Sequence, residues 1–559
     1  MEPALEQTNM LYVKATAWPD QQVRNRRILI VMIFLLLCGI IAGMAIAIIM
    51  TSDDDNDNQE RTFGPSATSP TATSTPSSTS EEPTNHPTNV CSSTFLFTTT
   101  SSMTAPSTLP STSDTWKSTL PPTKSWTSYW CQLGMNDILG EDSGDEFGRS
   151  ISLSANGTIV AIGGRFNDNE NGIHAGHVRV LRYSLEMDDW IQLGQDIDGQ
   201  GDHLQTGQSV ALSREGTVVA ISSNGNIHGD NTGSNVTGCV RVFRYENNES
   251  WEQIGQDMKE EYVYRSTPFS PTHVSLSGMD GNIVVAIGNA EGDNGGGTHA
   301  GHVRVYNYSS NNDQFYQLGR DVVGFDDFDG FGFSVSLDNT ARILAVGAYQ
   351  FKPTSETSNS PGYASVFEWN METNLWEKHG NNSDLIGAQG GDHFGASVSL
   401  SGDGSVLAVG GDHNDDNGLN SGHVKTYKYA SDRSEWNKLG QDILGENEGD
   451  VCGLGISLSY EGTILAVGSH NYDFIYNHNE NKKKNSGQVR IYQLQYSTED
   501  DTYLWSPLGQ DLLGEDSMGR FGLSLSLSDT GTVLAVGNPA IDTDSSSLRV
   551  GSVHMYGLQ

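Results

Sequence analysis

The first hydrophobic pattern along the chain is a block, Ile28 to Met50, which reads ILIVMIFLLLCGIIAGMAIAIIM without a charge. At helical rise such a block spans a hydrocarbon core of about 30 Å, and it is longer than the roughly 7–15 apolar residues of a cleaved signal peptide. It predicts an uncleaved transmembrane signal-anchor helix over 28–50. Residues 51–126 are instead rich in Ser, Thr and Pro and nearly free of aliphatic side chains. Such a segment buries too little apolar surface to offset its ordering entropy, which predicts a disordered, mucin-like stalk. From Trp130 to the end the pattern changes again, to a repeat with a period of about 61 residues.

Four strand-like elements recur in fixed order in seven copies. The first is an aromatic followed by Gln-Leu-Gly or a variant, at Trp130, Trp190, Trp251, Phe315, Trp376, Trp436 and Trp505. The second alternates as Ser-Val-Ser-Leu-Ser, for example Ser150–Ser154 and Ser397–Ser401, and strict alternation is a strand signal. The third, Leu-Ala-Val-Gly-like from Val160, Leu344 or Leu534, is apolar on both faces and predicts a central, doubly covered strand. The fourth is His-Val-Arg-Val-Tyr-like, from His177, His302 or His423. Asn156-Gly157, Glu215-Gly216, Asp403-Gly404, Glu461-Gly462 and Thr530-Gly531 join the second element to the third with the chemistry of a tight hairpin.

Four-stranded antiparallel meanders that cannot bury their faces alone close radially, so 127–559 is predicted to be an all-β, seven-bladed β-propeller. The repeat opens on an outer-strand sequence and stops one strand short. Trp130–Gly134 is therefore expected to complete the last blade and remove both exposed edges.

Phe147-Gly148, Phe331-Gly332, Phe394-Gly395 and Phe521-Gly522, with Val346-Gly347-Ala348 downstream, resemble the FG-GAP repeats of integrin α-subunit propellers. The resemblance covers about 130–559 and implies an extracellular adhesion or ligand-binding head. Calcium-binding repeats of that family carry an acidic Asp-x-Asp-x-Asp-Gly loop where this chain has its tight hairpin, so the family's calcium site carries over to no residue here.

Charge narrows the partners: a formal net charge of −38 and pI of about 4.5 exclude nucleic acid and favour basic proteins or divalent cations. Arg24, Arg26 and Arg27 before the apolar block, against Asp53, Asp54, Asp55 and Asp57 after it, place 1–27 in the cytoplasm. The rest is expected outside the plasma membrane or in an endomembrane lumen. Gly39, Gly43 and Ala47 share one face of the anchor at the spacing that lets two helices pack as a dimer. Sequons at Asn156, Asn235, Asn248, Asn307 and Asn381 suit a glycoprotein ectodomain, with Asn156 in a tight turn. The five cysteines show no disulfide framework or zinc spacing, and Cys131, Cys239 and Cys452 read as core thiols.

In an up-and-down blade the loop entering the second element and the loop leaving the third share one face, and acidic residues such as Glu141, Asp145, Asp196 and Asp198 collect there. Two of these loops carry enough oxygen ligands for calcium: Asn167, Asp168, Asn169 and Glu170, and Asp412, Asn414, Asp415 and Asp416. Neither has EF-hand spacing, and a solvated Asp/Asn/Gly turn accounts for the same residues. His177, His302 and His423 are set apart by blade rotation and read as hydrogen-bonding residues at strand starts. No nucleophile elbow, phosphate loop or HExxH motif occurs, so no enzyme is expected. The chain reads as a membrane-anchored recognition or adhesion protein presenting its propeller to extracellular proteins or glycans. The alternatives are a structural wall or matrix protein, and a glycan-acting enzyme. A convergent cluster of His, Arg, Tyr and carboxylate side chains at the central channel would argue for the enzyme.

Overall fold

Alternating serines join the sheets of this protein to one another. The computed structural model describes residues 128–225, 238–259, 273–279, 282–292, 299–350, 360–475, 482–539 and 550–559. The predicted tail, anchor helix with Gly39, Gly43 and Ala47, stalk, and sequon Asn235 lie outside these residues. Among the described residues no helix is long and apolar enough to cross a membrane.

Blade 1 consists of Phe147–Leu153, Ile159–Gly164, His177–Ser184 and Asp189–Gln192, antiparallel neighbours in chain order. The same order repeats in blades 2 to 6, whose inner strands start at Thr206, His273, Phe331, Phe394 and Cys452. Blade 7 has only Leu525–Leu527, Val533–Asn538 and Val550–Leu558 of its own. Trp130–Gln132 supplies its outer strand, with Trp130 opposite Leu558 and Gln132 opposite Tyr556. Inner strands of adjacent blades pack side by side around the axis, the seventh against the first.

The outer strand runs further than the Gln-Leu-Gly element. After Gly194 it resumes as Ile197–Asp198, paired with His177 and Val178, and five other blades continue in the same way. Gly194 adopts φ +79°, which lets the strand bulge and re-enter the ladder without a Cβ clash.

The inner-strand serines take three kinds of partner, although the buried Ser277 hydroxyl makes no hydrogen bond. The first donates across the blade joint to a glycine carbonyl of the next blade: Ser150 to Gly207, Ser334 to Gly395, Ser397 to Gly453 and Ser524 to Gly148, at 2.5–2.9 Å. The second accepts the next blade's leucine N–H: Ser152 from Leu212, Ser275 from Leu337, Ser336 from Leu400, Ser399 from Leu458, Ser457 from Leu527 and Ser526 from Leu153, at 2.9–3.1 Å. The third caps its own hairpin, as Ser154 accepts the Ile159 N–H at 3.0 Å. The polar half of the period-2 pattern thus satisfies buried backbone groups where two sheets meet. The glycine of each Phe-Gly pair sits at the same joint: Gly148 has φ +89°, and a Cβ there would lie 2.7 Å from the Ser552 carbonyl oxygen.

The outer strands are joined in the same manner. The indole N–H of each outer-strand tryptophan donates to a carbonyl of the preceding outer strand, including Trp190 to Leu133 (3.0 Å), Trp251 to Leu193 (2.7 Å) and Trp376 to Leu318 (3.1 Å). Trp130 makes the equivalent bond to Leu508 at 2.9 Å, and the Gln510 amide exchanges two hydrogen bonds with its backbone. The N-terminal strand is therefore held by the same contacts as every other outer strand. Cys131 is disulfide-bonded, which corrects its reading as a core thiol, whereas Cys239 and Cys452 are free and buried.

Ala211 breaks the serine rule. It occupies the second-serine position of blade 2, so the Leu276 N–H of blade 3 has no hydroxyl opposite it, and Val274 donates instead to Ser209 (3.1 Å). Ala211→Ser is expected to stabilise the propeller by about 0.5–1.5 kcal/mol, and Ser526→Ala at an intact joint to destabilise it by about 1–3 kcal/mol. Chemical denaturation of the two variants measures both, with opposite signs.

Candidate functional site at the channel mouth

The loops after each third-element strand and the loops entering each inner strand share the upper face, while the hairpins lie on the lower one. The lower hairpin tips draw together about the axis. Ala155 N–H bonds Arg214 O, Asp529 N–H bonds Ala155 O, Tyr460 N–H bonds Asp529 O and Gly402 N–H bonds Tyr460 O. Arg214 also pairs with Asp529 at 2.6 Å and lies 4.8 Å over the Tyr460 ring, tying blades 2, 6 and 7. Above this constriction is a cavity of about 240 Å³ lined by the inner strands of all seven blades. Its wall is two-sided: Arg149, Gln208 and His273 on one part, Phe333, Ala396, Leu454 and Leu523 on the other.

Two positions per blade form the rim, the residue before the Phe-Gly pair and the residue after the third-element strand. In blade 1 these are Glu146 and Arg165, an ion pair at 2.7 Å, with Arg165 donating on to Gln208 at 2.8 Å. In blade 2 they are Gln205 and Asn224, an amide pair at 3.2 Å. In blade 5 they are His393 and Asp412, with Nδ1 to Oδ1 at 3.4 Å, and the following His413 places its Nδ1 3.0 Å from the same oxygen. The two imidazoles lie 4.1 Å apart. Tyr349 of blade 4 bridges Phe333 (4.3 Å) and His393 (5.7 Å). His470 of blade 6 is buried within the field of Asp412, Arg520, Arg149 and His413.

Electrostatics follow from this crowding. Burial, with Arg165 adding like-charge repulsion, pushes the Arg149 guanidinium down to about 10. Burial likewise holds His470 and His273 near 4, so both are neutral at physiological pH. Burial opposes ionisation of Asp412, but His393 and His413 outweigh it and hold the carboxyl at about 2. Asp412 in turn raises the pKa of His413. Arg149 and Arg520 form no ion pair among the described residues. In a chain of net charge −38, the mouth thus gathers three arginines, Arg149, Arg165 and Arg520, against the carboxylates of Glu146, Glu291 and Asp412.

The residues singled out for calcium lie elsewhere, with one exception. Asp168 Oδ1 accepts the His174 N–H (2.6 Å) and Asp415 Oδ1 accepts the Asn420 N–H (2.7 Å), so each carboxylate closes its own loop. Asn169 donates to Gly176 O, Asn414 is buried and accepts the Asp416 N–H, Asp416 accepts from Gln389, and Asn167 is buried against Asp145. Glu170 is exposed. Asp412 alone faces the axis side, between two histidines. His177, His302 and His423 are buried at strand starts in three separate blades, and both ring nitrogens of His177 and His423 lack a hydrogen bond. Of the described sequons, Asn156, Asn248 and Asn381 are exposed, the Asn156 amide oxygen accepting from Thr158 within the hairpin, whereas the Asn307 amide oxygen is buried in its strand. Arg149, Arg165, Tyr349, His393, His413, His470 and Arg520 were not singled out in the sequence. Aligning the seven copies and reading the two rim columns would have found most of them.

The FG-GAP repeat model matches residues 387–427, which hold Phe394-Gly395 and all three of His393, Asp412 and His413. The chain is an FG-GAP-like β-propeller. No curated protein matches it. Several solved structures show a distant likeness to it. Hydrazine synthase of Kuenenia stuttgartiensis is 12% identical at TM-score 0.43 over 74% of this chain and 97% of that one. A periplasmic gluconolactonase of Pseudomonas aeruginosa is 12% identical at TM-score 0.40 over 71% and 95%. An oligogalacturonate lyase of Vibrio parahaemolyticus is 9% identical at TM-score 0.40 over 77% and 93%.

The buried histidines of this FG-GAP-like propeller make stability depend on pH. Burial lowers His177 and His273 to about 4, against 6.5 in the unfolded chain. The unfolded state therefore takes up protons first as pH falls, so stability is full above pH 6.5 and drains between 6.5 and 4. Each histidine is expected to contribute a slope of up to about 1.4 kcal/mol per pH unit in that window. Melting temperature against pH measures it, and His177→Asn should flatten the curve.

Proposed function

We propose that this protein is a membrane-anchored extracellular recognition head whose channel mouth takes an anionic group of a glycan or protein ligand. The observation that carries the reading is Arg149 in the cavity wall, in the field of Arg165 and Arg520 and, like Arg520, with no ion pair among the described residues, on a molecule otherwise strongly acidic. Arg149 is crowded by burial and by Arg165, and an incoming carboxylate or sulfate would relieve that repulsion with bidentate hydrogen bonds. The lower constriction at Arg214, Asp529 and Tyr460 leaves the upper face as the way in, and the apolar wall at Phe333, Leu454 and Leu523 suits a sugar ring or aliphatic stem. The acidic outer loops would repel most polyanions at long range, which favours a ligand bearing one or a few acidic groups over a densely charged polymer.

The same cluster supports a second reading, a glycan-acting enzyme, because His393, His413, Tyr349 and Asp412 stand close enough to share protons with a bound substrate.

Binding of the full chain in detergent to arrayed neutral, uronate-bearing and sulfated oligosaccharides tests the first reading. Acidic ligands are expected to bind, with Arg149→Met weakening them about tenfold or more, the scale of one lost charge-assisted pair. Equal binding of neutral sugars, or indifference to Arg149→Met, would remove the basis for the reading. Cleavage of a bound oligosaccharide that is lost in His393→Ala would decide for the enzyme.

A further inference from the structure

We infer that His393, Asp412 and His413 bind one divalent transition-metal ion, of the zinc class, at the upper rim of blade 5. This inference does not depend on the ligand proposed for the mouth.

The three ligand atoms, two imidazole nitrogens and one carboxylate oxygen, lie within 4.8 Å of one another. Two of the separations, 3.4 and 3.0 Å, fall around the ~3.3 Å expected between ligands that each sit about 2.0–2.1 Å from a tetrahedral ion. A hydrogen-bonded His-Asp-His triad could show similar distances, but the orientation is wrong for one. Asp412 Oδ1 and His413 Nδ1 are both buried and make no hydrogen bond, although only 3.0 Å separates them. Donor atoms this close, buried and not aimed at each other can share one cation between them. Nδ1 of His470, at the equivalent rim position of blade 6, is likewise buried without a hydrogen bond.

The backbone holds the set in place. The His413 N–H bonds the Asp392 carbonyl at 3.3 Å, fixing one loop on the other, and Asn414 N–H closes a turn onto Gly411 O at 3.2 Å. His393 adopts φ +54°, the conformation that Glu146, Gln205, Val451 and Arg520 share at the equivalent position of other blades, so its backbone is set by the repeat. Blades 1 and 2 use the equivalent positions for pairs that satisfy themselves, Glu146 with Arg165 and Gln205 with Asn224. Blade 5 substitutes three metal-ligating side chains and no cation. Two imidazoles and one carboxylate select Zn²⁺, Co²⁺ or Ni²⁺ over calcium and leave a coordination position free.

The test uses the full chain, stripped with a chelator and titrated with Co²⁺ and then Zn²⁺. One equivalent of Co²⁺ is expected to give a visible ligand-field band that Zn²⁺ abolishes by displacement. Asp412→Asn and His393→Ala should each weaken Zn²⁺ binding more than about tenfold, since removing even a residue that only hydrogen-bonds a ligand costs about 10–100-fold. Asp168→Asn, in the corresponding blade 1 loop, should leave it unchanged. Absence of the band in the unaltered chain, a response to Ca²⁺ but not to Zn²⁺, or Zn²⁺ affinity indifferent to folded Asp412→Asn would each overturn the site.

Discussion

The structure depends on the joint between neighbouring sheets. A four-stranded blade is too small to bury both of its faces, and its inner strand has one edge pointing at the axis with unpaired backbone groups. The serines at alternate inner-strand positions meet that need directly, one hydroxyl donating to the next blade's glycine carbonyl and another accepting the next blade's leucine N–H. Because most joints repeat this geometry, a near-constant rotation between blades follows, and seven such rotations return to the start. The tryptophan and glutamine contacts of the outer strands repeat the rule at larger radius.

That rotation also decides where chemistry can gather. At the periphery, equivalent residues point apart, and His177, His302 and His423 stay in separate blades, each packed against its own sheet. Near the axis, equivalent residues converge instead. Glu146, Arg165, Tyr349, His393, Asp412, His470 and Arg520 come from five blades, yet they gather at one rim above a channel narrowed at its lower end. The fold is thus symmetric in what holds it and asymmetric in what it presents.

This split explains what the sequence disclosed. The blade count, the strand order and the missing outer strand were legible because they rest on residues that recur, the Ser-x-Ser-Leu alternation and the Trp-x-Gln-Leu-Gly signature. The bulged extension of the outer strand was not, since only two residues resume the ladder after the glycine, as in Ile197–Asp198. The mouth was illegible for the opposite reason: its residues occupy the columns in which the copies differ, one or two per blade, and nothing local marks them. Asp412 drew notice as part of an acidic loop, but its partners are His393, nineteen residues upstream, and the adjacent His413, not Asp415 or Asp416. Asp-rich composition pointed to calcium, whereas the loop carboxylates at Asp168 and Asp415 satisfy backbone N–H groups of their own turns.

Closure of the ring is the claim on which the mouth and both its readings rest, and amide hydrogen exchange tests it most directly. With the ring closed by the N-terminal strand, the amides of Trp130–Gln132 should exchange in step with Tyr556–Leu558 and as slowly as the buried Val533–Asn538. Rapid exchange of 130–132 while Val533–Asn538 stays protected would show an unpaired seventh blade and contradict the account.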